Sequence, residues 1–200
     1  MPRNVPKSVP KVVPIAELVA GLREFPEQTF RETAAIRELL AAQPVEPETL
    51  AQYLTWDRQH YTRNLIDKTP QYELIAICWE PGQSSSVHNH QDQNCWMAVP
   101  IGRLQVQNYR VLHQDLRAGT CELAPTDTLQ LDALHPCAVD PNAPVHNVEN
   151  PREWNERAVS LHVYSFPFNT CVVYSPEKKT CGLIELHYNT EYGVKTDLPA

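Results

Sequence analysis

His88 and His90 stand two residues apart within the stretch Gly82–Gly102, GQSSSVHNHQDQNCWMAVPIG. On a β-strand, residues i and i+2 project from the same face, so both imidazoles can point one way. Two convergent imidazoles make two legs of a site for zinc, iron, copper or nickel. The same pair alone also reads as two ordinary core or surface histidines. Ser160, His162 and Tyr164 repeat that spacing further along the chain. On one strand the three would share a face as a ladder of hydroxyl, imidazole and phenol.

The surroundings of the histidine pair carry more information. Gly82 is followed after five residues by His88-Asn89-His90, after four more by Cys95 and after six more by Gly102. This spacing resembles the first motif of the cupin superfamily, with Cys95 where that family usually places a ligating glutamate. Residues 141–150, PNAPVHNVEN, resemble the second motif, with His146 and Asn150 in place. Ala143 stands where the motif has glycine, and His135 where it has an earlier one. The resemblance implies a jelly-roll barrel and adds His146 to His88 and His90 as a third metal ligand. Without the glutamate, three neutral imidazoles leave the ion's charge uncompensated. An octahedral ion would keep three positions for substrate and oxygen, which suits a thiolate. A three-histidine zinc hydrolase stays open on these residues alone.

A closer resemblance is to the cysteine dioxygenases of type I, which are mononuclear iron cupins. It rests on Tyr61-Thr62-Arg63-Asn64-Leu65, the Ser84–Cys95 stretch, residues 145–150, residues 158–165 and residues 167–171. These segments occur in family order. The resemblance implies Fe(II), one per chain, with O2 as co-substrate. Cysteine would be oxidised to its sulfinic acid. Arg63 matches the arginine that grips the substrate carboxylate, a task suited to a planar fork of donors. Tyr61 would support the same carboxylate. Ser160, His162 and Tyr164 match a relay that fixes the tyrosine hydroxyl near the metal. Cys95 and Tyr164 match a pair that forms a thioether cross-link. Cys171 matches a cysteine at the pocket mouth. Relatives that prefer 3-mercaptopropionate carry glutamine at the arginine position, so Arg63 favours L-cysteine over 3-mercaptopropionate or cysteamine. A metal-binding cupin without catalysis would not require Arg63 and the Ser160–His162–Tyr164 set together.

The elements that must position these residues are also visible. Ile15, Leu18, Val19 and Leu22 form an apolar stripe at helical spacing. Residues 15–56 read as three short helices, with Pro26 and Pro47 at first-turn positions. Beyond residue 57, short apolar runs alternate with proline, glycine and asparagine. Strands are expected over residues 72–79, 95–101, 103–111, 120–123, 128–132, 158–165, 170–174 and 183–188. Such a series closes into a small mainly-β barrel with room for one ligand. The expected organisation is a proline-rich basic arm over residues 1–14 and one cupin domain over 15–200.

Composition narrows the partners. With 17 basic against 24 acidic residues the net charge is −7, which argues against nucleic acid. No run approaches the 18 apolar residues of a membrane span, and no secretory signal opens the chain. The expectation is a cytoplasmic monomer acting on a small molecule. Six cysteines then read as free thiols rather than three disulfides. Of the remaining histidines, only His187 lies near enough to a closing strand to be a pocket candidate.

Overall fold

The computed structural model describes residues 10–133, 135–140 and 144–196. Residues 1–9, most of the proline-rich arm, lie outside that range, as do residues 141–143 of the second motif. The arm's last residues are packed: the Lys11 N–H donates to the Ala42 carbonyl at 2.9 Å, and buried Val13 bridges Val45.

Two α-helices, α1 (Ile15–Arg23) and α2 (Ala34–Ala42), alternate with 3-10 helices over Glu27–Arg31 and Pro47–Tyr53. Three helices were expected from the stripe; the shorter segments tighten into short 3-10 helices, each with one fully buried anchor in the core, Phe30 and Leu50 respectively. Pro26 and Pro47 both start such turns.

Thirteen strands follow among the described residues. They are β1 (Thr62–Lys68), β2 (Tyr72–Trp79), β3 (Val87–His88), β4 (Cys95–Ile101), β5 (Leu104–Asp115), β6 (Thr120–Leu131), β7 (Cys137–Ala138), β8 (Val145–Glu149), β9 (Ala158–Ser165), β10 (Thr170–Ser175), β11 (Thr180–Glu185), β12 (Thr190–Glu191) and β13 (Val194–Lys195). A seven-stranded sheet runs β13-β12-β1-β2-β9-β4-β7. The other six strands close on themselves in the order β10-β11-β6-β5-β8-β3. This is the jelly-roll architecture expected from the two motifs.

The central strands β2 and β9 are buried on both faces. On one face Leu74, Ala76, Cys78, Leu161 and Val163 meet the helices through Leu18, Leu22, Phe30 and Ile36. On the other, Ile75, Ile77, Trp79, Cys95, Met97 and Tyr164 face the barrel. The helices therefore seal the outside of the sheet whose inside carries the site.

The expected strands did not include β1, β3, β7, β8, β12 or β13, and three of the differences have physical reasons. β1 lacks apolar alternation because it buries polar residues: Asn64 donates to the Ala76 carbonyl at 3.2 Å, and Asp67 pairs with Arg23 at 2.5 Å. The expected break at Pro125 is absent. That proline is exposed and lies where the β5–β6 register shifts, so no ladder hydrogen bond is lost and β6 runs through. The expected strand over 183–188 begins earlier, at Thr180, and ends at Glu185. Gly102 closes the first motif at φ +68°, where a Cβ would lie 2.5 Å from the Arg157 carbonyl oxygen. Only glycine fits there.

Candidate active site

β3 is two residues long, and His90 lies just beyond it. The pairing is nonetheless prolonged: the Asn89 N–H donates to Val172 O at 3.1 Å, and the Val172 N–H donates to Asn89 Oδ1 at 3.0 Å. His88 and His90 thus keep a common face before the chain turns at Gln91 and Asp92, both at positive φ. His146 on β8 is the direct partner of His88 across the β3–β8 pair. Asn150, at the end of the same strand, ties the two motifs together. It is fully buried, donates to the carbonyls of Trp79 and Glu156, and accepts the Gly82 N–H at 2.7 Å.

The three rings converge. Their centroids lie 5.2, 5.0 and 4.8 Å apart, and one nitrogen from each lies within 4.8 Å of the others. Both ring nitrogens of His90 and of His146 are buried without a hydrogen-bond partner. Buried nitrogens are normally satisfied, so unpartnered ones within reach of one another fit a cation held between the rings. His88 Nδ1 is engaged by the Ser86 carbonyl at 2.8 Å, which leaves its Nε2 for that point. Burial, together with the neighbouring imidazoles, pushes His90 and His146 well below the ordinary histidine range. Burial also lowers His88. Neutral imidazole is the form that ligates a metal, so this donor set fits one.

Around this cluster opens a cleft of ≈ 390 Å³, lined by Tyr61, Arg63, His88, His90, Tyr164 and Cys171 among others. Arg63 sits on β1, where Asn189 holds its backbone on both sides: Asn189 Oδ1 accepts the Arg63 N–H at 2.8 Å, and the Asn189 N–H donates to the Arg63 carbonyl at 2.7 Å. Among the described residues no carboxylate lies within ion-pair distance of the Arg63 guanidinium, and its Nε is buried without a partner. Burial opposes its charge, while the phenols of Tyr164 and Tyr61 and the Glu73 carboxylate favour it. A half-buried cation with no paired anion and an unpartnered buried Nε suits an anionic group.

Ser160, His162 and Tyr164 all lie on β9, as expected, and form a chain. Ser160 Oγ is 2.8 Å from His162 Nε2, and Tyr164 Oη is 3.1 Å from His162 Nδ1. Trp79 extends the chain, its Nε1–H donating to Ser160 Oγ at 3.0 Å. An indole can only donate, so Ser160 Oγ accepts from Trp79 and keeps its proton and a second lone pair for other partners, His162 Nε2 among them. Burial pushes His162 down to about 3, so the ring is neutral and carries a single proton. In the tautomer with that proton on Nδ1, the ring donates to Tyr164 Oη and the phenol proton is free to point into the cleft. Trp79 also stacks on Tyr61, with centroids 4.7 Å apart.

Cys95 on β4 is the direct cross-strand partner of Tyr164 on β9. Its thiol is held well above the ordinary range by burial, partly offset by hydrogen bonding to Tyr164. Cys171 is buried on the cleft wall. All six cysteines are free. His60, His113, His135 and His187 are exposed. His187 lies 4.0 Å from Glu185 on the surface, away from the cleft. Asn94 is structural: its side chain donates to Phe30 O at 3.0 Å, tying the helical layer to β4.

The family model for cysteine dioxygenase type I matches residues 5–177. The chain belongs to the cysteine dioxygenase type I family. Membership makes it a dioxygenase, an oxidoreductase acting on a small molecule. Its similarity extends to named relatives across nearly the whole length. Cysteine dioxygenase type 1 of Rattus norvegicus is 29% identical over 187 residues, covering 91% of this chain and 89% of that protein. That of Danio rerio is 25% identical over 183 residues, with the same coverage. That of Homo sapiens is 28% identical over 171 residues, covering 85% and 82%. Among solved structures, a double-stranded β-helix domain protein from Klebsiella pneumoniae is 16% identical over 58% of this chain and 81% of its own, with a TM-score of 0.45.

Trp79 and Asn189 are functional neighbours that sequence reading missed. Trp79 closes an otherwise apolar run, and Asn189 sits 126 residues from its partner. A signal existed for Trp79 alone: a buried indole needs an acceptor for its N–H.

Proposed function

We propose that the chain oxidises L-cysteine with O2 to cysteine sulfinic acid, using one Fe(II) held by His88, His90 and His146. The observation that carries this reading is the convergence of three neutral imidazoles, two of them with no hydrogen-bond partner, beside a half-buried Arg63 whose Nε is also unpartnered. Iron, when bound, supplies the redox chemistry toward O2 and the affinity for a thiolate.

The residues of the chain do the positioning. Arg63 holds the substrate carboxylate through paired charge-assisted hydrogen bonds. Tyr61, anchored on Trp79, offers its hydroxyl to the same carboxylate. The thiol of the substrate then points toward the histidines, and both atoms of O2 pass to that sulfur. Tyr164 directs its phenol proton at the reacting group, held there by the Trp79–Ser160–His162 chain. Phe168 packs edge-on against Tyr164 at 5.3 Å and limits water around it. Cys171 lines the mouth. Holding a reactant at several points in this way removes much of the entropic barrier.

Cys95 and Tyr164 form a thioether during oxidative turnover on this reading. Anaerobic metal analysis of active protein tests the metal assignment. About one iron per three-histidine site supports it; full activity with zinc alone, or without O2, contradicts it.

A further inference from the structure

Glu73 is a fully buried carboxylate whose only part above is to favour the charge on Arg63. It lies on the barrel-facing side of β2, in step with Ile75, Ile77 and Trp79. Register places it in one row across four strands: Lys68 opposite Glu73, Glu73 opposite Tyr164, and Tyr164 opposite Cys95. Directly opposed side chains lie about 5 Å apart at Cβ. Tyr164 therefore has a thiol on one flank and a carboxylate on the other.

The carboxylate is pinned. The Tyr188 hydroxyl donates a short hydrogen bond to Glu73 Oε2. Lys68 Nζ lies 3.7 Å from the same oxygen and 3.3 Å from the Tyr188 hydroxyl. Glu73 Oε1 is buried with no partner. An ionisable group kept in a barrel at that cost, beside a reactive ring, is poorly explained by packing, since an apolar residue would fill the space without it.

We propose that Glu73 is a positioning residue for Tyr164, holding the ring against Cys95 and favouring the oxidation that couples the two. This rests on the thioether reading above. Coupling forms a bond between Cys95 Sγ and a ring carbon of Tyr164, and breaks the thiol S–H and that ring C–H. Two electrons and two protons leave, and O2 takes both pairs to become hydrogen peroxide. The ring gains positive charge as its electron departs. A carboxylate alongside stabilises that charge, and the ring's positive edge faces an anion favourably. At this range, in an effective dielectric of about 20 and partly offset by Lys68, the effect corresponds to about tenfold in coupling rate.

The test drives the coupling chemically, apart from cysteine turnover. Iron-loaded wild type, Glu73→Gln, Glu73→Asp and Lys68→Met receive equal doses of a one-electron oxidant, hexachloroiridate(IV). The loss of about 2 Da per chain, two hydrogens, is followed by mass spectrometry. Glu73→Gln, which keeps the shape, should couple about tenfold more slowly, Glu73→Asp should restore most of the rate, and Lys68→Met should exceed wild type. Lys68 is at the rim, so that variant reports even if the buried substitutions fail to fold. Equal rates in wild type and Glu73→Gln overturn the proposal, as does Lys68→Met at or below the wild-type rate, or a wild type that never couples. Oxygen uptake with cysteine is read separately. Absent uptake with normal coupling strikes the substrate reading and leaves Glu73 in its role.

Discussion

Cys95 and Tyr164 are opposed residues of the antiparallel β4–β9 pair, and both side chains are buried on the barrel side of the sheet. The strand register itself sets the thiol beside the phenol residue. After repeated turnover the protein should therefore gain a species lighter by about 2 Da, with the two tryptic peptides fused. Cys95→Ala should abolish this species and keep metal binding. Separate peptides after exhaustive turnover would refute the link.

Arg63 is the only charged side chain among the residues named on the cleft wall. Replacing it with alanine should raise KM for cysteine about 100-fold, the scale of two charge-assisted hydrogen bonds. Cysteamine, which lacks the carboxylate, should change by no more than about twofold. Steady-state kinetics on both thiols check this, and an equal loss for both removes Arg63 from the carboxylate role.

Much of this site is legible in the sequence because its spacing is local. His88 and His90 share a face by strand period, as do Ser160, His162 and Tyr164, and each set converges as expected. What sequence does not disclose depends on register between distant strands. Glu73 and Tyr188 lie 115 residues apart, and Trp79 and Ser160 lie 81 apart. No periodicity within one strand reveals which residue stands opposite which. β1 escaped for a different reason: its buried positions include Asn64 and Asp67, whose partners come from β2 and α1. The helical lead-in is legible as an apolar stripe, but one stripe serves an α-helix and a 3-10 turn equally over five residues.

Trp79 orients the relay from its far end. Trp79→Phe removes a donor and keeps the aromatic packing, so Ser160 Oγ loses the N–H that holds it against His162. The expected result is kcat lower by about tenfold with KM for cysteine nearly unchanged, the cost of one misdirected buried hydrogen bond. A fall in KM-dependent terms alone would place Trp79 with substrate binding through Tyr61.

His162 makes folding pH-dependent. Its ordinary value of 6.5 falls to about 3 in the buried site. Below about pH 6.5 the unfolded chain takes up a proton that the folded chain refuses, so its contribution is full above that pH and is lost as pH falls toward 3. Thermal melts of metal-free protein between pH 7 and pH 5 should show Tm falling, and His162→Gln should make that slope shallower, the rest coming from His88, His90 and His146. An unchanged slope in the variant would mean that the relay histidine is not held neutral.

The central claim is that cysteine is the thiol and O2 the oxidant. Oxygen uptake by Fe(II)-loaded protein, measured side by side with cysteine, cysteamine and 3-mercaptopropionate, addresses it most directly. The account predicts uptake equimolar with cysteine consumed, cysteine sulfinic acid as the product, and kcat/KM for cysteine about 100-fold above that for cysteamine, the margin set by the carboxylate on Arg63. Faster uptake with either other thiol, or cysteine loss without oxygen consumption, would contradict it.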